Sequence, residues 1–149
     1  MNRNLTILVA EDDENDVLLL KRAFSKNGIN NPTHVSRDGA DACAYLKGEG
    51  AYQDREKYPF PSIIITDLKM PRFSGFEILE WLKNHPDCHV IPVIVLSASR
   101  QEDDVKKAYQ LGANAFLHKP STSAELEKLV RTVADFWNMC EKPRVPTGC

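Results

Sequence analysis

The chain has 149 residues, 42% of them hydrophobic and 27% charged, with a formal net charge of −2. That length suits one domain able to bury its own core, expected over residues 1–142, and leaves no room for a second of any size. Both signs of charge are scattered along the sequence, which excludes a broad electrostatic case for nucleic acid or an anionic membrane as partner.

Cys43, Cys88, Cys140 and Cys149 are far apart, without the close pairing of a zinc site, and read as free thiols in a reducing cytoplasm. The apolar run near the N-terminus is too short for a signal peptide or a membrane span. A cytoplasmic location follows as the expectation.

Leu5 to Ala10 is a short apolar run that ends abruptly in Glu11-Asp12-Asp13, the pattern of a parallel strand buried on both faces. Val17, Leu20 and Phe24 then recur at helical spacing up to Gly28, a C-terminal stop. His34-Val35-Ser36 reads as a second strand, and Asp38-Gly39 with Ala42, Tyr45 and Leu46 as a second helix. Residues 48–61 hold Gly48, Gly50, Pro59 and Pro61 among charges and read as an extended loop.

Ser62 to Thr66 is a third strand, rich in β-branched residues, closing on Asp67. A turn around Met70-Pro71 and Ser74-Gly75 leads to a helix carrying Phe76, Leu79 and Leu82, ended by Pro86. Val90 to Leu96 is a fourth strand, with Pro92 near its start and Ser97 at its end. Gln101 to Leu111 is a mostly polar helix with Val105, Ala108 and Leu111 inward, and Ala115-Phe116-Leu117 a brief fifth strand before Lys119-Pro120. The last helix has Leu126, Leu129, Val130, Val133, Phe136, Trp137 and Cys140 on one face, Ser123 as its expected N-cap, and an expected disordered tail at 143–149.

Alternating strands and helices imply right-handed crossovers and a doubly wound α/β domain with a five-stranded parallel sheet. In such folds ligands bind beyond the carboxyl ends of the strands, at the switch in winding direction. Glu11-Asp12-Asp13, Asp67, Ser97 and Lys119 all fall at such ends. Crowded carboxylates resist ionisation unless a cation compensates them, and an all-oxygen set suits a hard divalent ion, with Mg²⁺ the natural candidate. A lysine opposite the metal and a serine hydroxyl would hold the other oxygens of a transferring phosphoryl group. Asp67, alone on its strand end, is the best nucleophile.

Taken singly, each feature has an ordinary explanation: Asp13 or Glu14 capping a helix, Ser97 a loop hydroxyl, Lys119 a solvated charge, Phe116 core. Their joint fall at successive strand ends is what chance rarely produces.

Glu11-Asp12, Asp67-Leu68-Lys69-Met70-Pro71 with Gly75, Ser97-Ala98 and Lys119-Pro120 resemble, in order and spacing, the receiver domains of two-component response regulators. The resemblance runs from about Leu5 to Cys140, and the long loop with no output domain looks like the single-domain regulators paired with phytochrome-type histidine kinases. It implies the flavodoxin-like strand order 2-1-3-4-5. It implies further that Asp67 accepts the phosphoryl group, that Asp12 and the Lys69 backbone carbonyl ligate Mg²⁺ together with Asp67, and that Glu11 acts through water. Lys119 and Ser97 would bind the phosphoryl oxygens, Phe116 would be the aromatic switch, Lys69 and Ser99 would tune dephosphorylation, and Lys119-Pro120 would be cis. Asp13 receives no role.

The implied partners are a sensor histidine kinase, a downstream protein or histidine phosphotransfer protein, and a second copy of the chain. Two rivals stand beside this reading: an Mg²⁺-dependent aspartyl phosphatase, and a receiver-like binding module that signals without phosphorylation. Against the phosphatase, Glu11-Asp12-Asp13 lacks the usual following Thr or Val and there is no cap insertion to enclose a small substrate, and the binding module is disfavoured because no expected side chain is missing.

Overall fold

The computed structural model describes residues 5–144. Strands β1 (Ile7–Ala10), β2 (Thr33–Ser36), β3 (Ile63–Thr66), β4 (Val93–Ser97) and β5 (Ala115–His118) alternate with helices α1 (Glu14–Lys26), α2 (Gly39–Lys47), α3 (Gly75–Lys83), α4 (Glu102–Gln110) and α5 (Ser123–Met139). The strands form one parallel sheet in the order β2-β1-β3-β4-β5, as the resemblance implies.

Two-residue periodicity along the strands divides the core between the faces of this sheet. Leu8, Ile64, Val93 and Val95 join Leu46, Ile78, Leu79 and Leu82 under α2 and α3. Ile7, Val9, Ile63 and Leu96 join Leu20, Phe24, Leu126, Val130 and Trp137 under α1 and α5. Each such aliphatic side chain removed from water contributes about 1.5–3 kcal/mol, which is why these apolar runs lie in the middle of the sheet.

Helix starts are set by short polar side chains. The Asp13 carboxylate accepts from the N–H groups of Asn15 and Asp16 at 2.8 and 3.1 Å, so the acid without a role in the resemblance is the N-cap of α1. Asp38 caps α2 through the Asp41 N–H, and Ser74 caps α3 through that of Glu77. Thr122, and not Ser123, caps α5, its hydroxyl accepting from Glu125 at 3.2 Å. Two adjacent hydroxyl residues offer the same chemistry, and only the backbone decides between them: Thr122 is extended while Ser123 is already helical.

The apolar face expected on α5 is rotated: Ala134 is buried with Leu126, Val130 and Trp137, whereas Phe136 is 69% exposed. Loop 48–61 holds a 3-10 turn at Gly50–Tyr52. Cys43 and Cys140 are free thiols. Cys88 is disulfide-bonded, so the reading of four free thiols is corrected there, since separation along the chain does not tell which thiols meet in space. Cys149 and most of the expected tail lie outside the described residues. No helix among the described residues is long and apolar enough to cross a membrane.

Candidate functional site

The carboxyl ends of β1, β3 and β5 bring four of the sequence-selected side chains together. Register places Ala10 opposite Thr66, so Glu11 and Asp67 leave the sheet side by side, and the Asp67 N–H donates to the Ala10 carbonyl at 3.0 Å. Gly75 makes the approach of α3 to this point feasible: a Cβ there would stand 2.1 Å from the Asp67 carbonyl oxygen, while its N–H donates to Leu68. Oxygen atoms of Glu11, Asp12 and Asp67 lie within 4.8 Å of one another.

Lys119 closes this cluster from β5. Its Nζ donates to Asp67 Oδ2 at 2.9 Å, Glu11 Oε2 at 2.8 Å and Asp16 Oδ2 at 2.7 Å. The other Asp67 oxygen, Oδ1, accepts from the Leu68 N–H at 2.7 Å, which fixes the plane of the carboxylate. Burial, together with the neighbouring Asp67 charge, pushes the Glu11 carboxyl up to about 7 in spite of its bond to Lys119. For Lys119 burial acts to lower the affinity for its proton, but hydrogen bonds to Asp16, Glu11 and Asp67 outweigh that and hold the ammonium firmly charged.

One cation for this many acids leaves the cluster short of positive charge. An all-carboxylate donor set with ligand atoms this close fits a hard divalent cation such as Mg²⁺, with Glu11, Asp12 and Asp67 as the side chains able to hold it.

Ser97 is buried at the end of β4; its carbonyl accepts from the Lys119 N–H at 2.9 Å, and its hydroxyl oxygen accepts from the Ser99 N–H at 3.1 Å. Ser99 in turn donates its hydroxyl to Asp104 at 2.5 Å, anchoring the β4–α4 loop to α4. Lys69 is exposed on the loop beyond Asp67. Phe116 is half-buried against the core under α2 and α3, and its N–H donates to the Tyr109 hydroxyl at 3.1 Å, so α4 and β5 are tied by a tyrosine on the helix. The Lys119–Pro120 peptide is trans, against expectation. Trans is the lower-energy form of such a bond by about 0.5–1 kcal/mol.

Asp16 escaped the sequence reading. It sits in the first turn of α1, where an acid is expected simply to favour the helix dipole, and nothing along the chain signals its reach to a lysine more than a hundred residues away.

Residues 7–131 match the model of the response regulator receiver domain. Response regulator Rcp1 of Synechocystis is 37% identical over 131 residues, covering 88% of this chain and 87% of the relative. Its solved Mn²⁺-bound form superposes with a TM-score of 0.84 at 35% identity, over 94% of this chain and 99% of the other. The phosphorylated cyanobacterial phytochrome response regulator RcpA gives 0.87 at 32% identity, over 95% and 99% of the two chains. A response regulator in red light signalling of R. palustris gives 0.89 at 32% identity, again over 95% and 99%. The chemistry of this family is the self-phosphorylation and dephosphorylation of the domain rather than conventional multiple-turnover catalysis, which removes the phosphatase alternative. By sequence, fold and acidic cluster alike, the chain belongs to the response-regulator receiver domains and has phytochrome-associated homologues.

Proposed function

We propose that this chain is a phosphorylation switch that takes a phosphoryl group from a phosphohistidine of a sensor histidine kinase onto the carboxylate of Asp67. The observation that carries the reading is the Asp67 carboxylate, held between the Lys119 ammonium at 2.9 Å and the Glu11–Asp12 pair. An Asp67 oxygen forms the new O–P bond as the N–P bond of the donor breaks, and the departing imidazole retains the electron pair and takes up a proton. Asp12, Asp67 and the Lys69 carbonyl would hold Mg²⁺, with Glu11 acting through water, and the ion would supply neutralisation of phosphoryl charge. Lys119 donates to a phosphoryl oxygen and Ser97 to another, once its hydroxyl turns from the Ser99 N–H. Attack of water on phosphorus releases inorganic phosphate and regenerates the carboxylate, at a rate tuned by Lys69 and Ser99.

The phytochrome association of RcpA supports a phytochrome-type kinase as donor. Output passes through Phe116 and the α4–β5–α5 face to a downstream protein, a histidine phosphotransfer protein or a second copy. The domain occupies residues 1–142 in this reading. Incubation with Mg²⁺ and a small acyl phosphate is expected to add one phosphoryl group, read by intact mass, and Asp67→Asn to take none. Labelling of Asp67→Asn at the parental level would overturn the acceptor assignment.

A further inference from the structure

Asp16 stands apart from the other acids that meet Lys119. Glu11 and Asp67 belong to the group whose oxygens lie close enough to share a cation, and Asp16 does not. A divalent ion held there would compete with Lys119 for two of its three acceptors and leave Asp16 aside. The Asp16 backbone N–H is satisfied by the cap residue Asp13, while its carboxylate does not turn back to the helix end as a capping-box acid would. It crosses instead to the β5–α5 loop and takes a Lys119 N–H at 2.7 Å, the shortest of the three contacts.

Lys119 also has room to leave. Lys119 lines a cavity of about 80 Å³ together with, among others, Glu11, Asp16, Pro120 and Thr122. A long, flexible side chain facing such a space loses its aim unless something other than the reacting carboxylate holds it.

We propose that Asp16 is a positioning residue for Lys119: from α1 it keeps the ammonium directed at the Asp67 oxygens when metal draws Glu11 and Asp67 away and when the Lys119–Asp67 bond is exchanged for one to phosphoryl oxygen. The proposal rests on the phosphoryl-acceptor reading. It adds to that reading an anchor outside the metal cluster, on a different element from the one that carries the lysine.

The test is a double-mutant cycle on phosphorylation by a small acyl phosphate, with the Mg²⁺ concentration varied. Asp16→Ala is expected to lower the rate at saturating Mg²⁺ by about tenfold, with the Mg²⁺ needed for half-maximal rate within about twofold of the parent. Asp16→Glu, which keeps the charge, should recover part of that loss. Added to Lys119→Ala, the same Asp16→Ala change should have no further effect, because its partner is gone. Asp16→Asn, which retains the packing of the helix end, serves if the alanine variant folds poorly, and should also slow the reaction. A parental rate in the Asp16 variants, or an undiminished factor in the Lys119→Ala background, overturns the positioning role alone. A parent chain that takes no label at all overturns the acceptor reading, and this role with it.

Discussion

Two polar networks are set into this domain, and they differ in whether their charges balance. At the carboxyl end of the sheet, Glu11, Asp16 and Asp67 surround a single ammonium, and Asp12 stands beside Glu11 and Asp67. Beneath loop 48–61, the charged groups Asp41 and Arg55 each have hydrogen-bond partners within the network. The Tyr45 hydroxyl donates to the Pro59 carbonyl at 2.6 Å and that of Tyr52 to Asp41 at 2.8 Å. His34 stacks on Tyr45 with centroids 4.5 Å apart. Arg55 donates to the carbonyls of Leu46 and Tyr58 and lies 4.0 Å over the Phe60 ring. Buried charge that is paid in full within the fold is architecture; charge left in deficit is where an external cation or phosphoryl group is invited.

The sharpest way to break this contrast is to remove one cation from each network. Lys119→Ala is expected to slow phosphorylation by about a hundredfold or more, the scale for deleting a group that faces developing charge. Next in size is the response to metal. Mg²⁺ at about a hundred times its dissociation constant should stabilise the parent by about 2.7 kcal/mol, raising its thermal midpoint, and Asp12→Ala should lose that shift. An unchanged shift in Asp12→Ala would remove Asp12 from the ligand set. Arg55→Ala should cost about 2 kcal/mol of stability through two orphaned carbonyls and a lost ring contact, read by urea unfolding, with no change in phosphorylation rate. A rate that fell with Arg55 would mean that the two networks communicate.

The strands and the acids at their ends were legible because a period of two and a sharp change from apolar to acidic are local properties of the chain. Glu11 and Asp67 converge for that reason, each the first charged position past a buried run, with Asp12 next to Glu11 and Lys119 just past the partly exposed β5. The network under loop 48–61 was not legible, since His34, Tyr45, Tyr52 and Tyr58 come from three separate segments and their stacking is decided only by the fold. Asp16 was hidden by an ordinary alternative role at a helix start. Phe136 shows the reverse error: an apolar residue one step off the buried stripe reads as core and is exposed.

The two networks should also differ in the sign of their pH dependence, through one group in each. Burial first, and then the Asp67 charge, raises the Glu11 carboxyl from its ordinary 4.5 to about 7. The folded metal-free protein therefore binds a proton at Glu11 that the unfolded chain has given up, and this contribution to stability is complete below pH 4.5 and is lost as pH rises through about 7. Burial lowers His34 below its ordinary 6.5 despite the opposing pull of Asp41, so its contribution is complete above pH 6.5 and is lost as pH falls toward its folded value. Thermal midpoints of metal-free protein, followed from about pH 5 to about pH 8, should therefore rise more steeply with pH in Glu11→Gln than in the parent. In His34→Gln they should rise less steeply or decline. Saturating Mg²⁺ should flatten the difference due to Glu11, because a cation beside the carboxylate favours its ionised form, and should leave the His34 difference in place. Slopes altered in the same direction by both substitutions would mean that the acidic cluster carries no excess of negative charge in the folded protein, and the distinction between a balanced and an unbalanced network would fall.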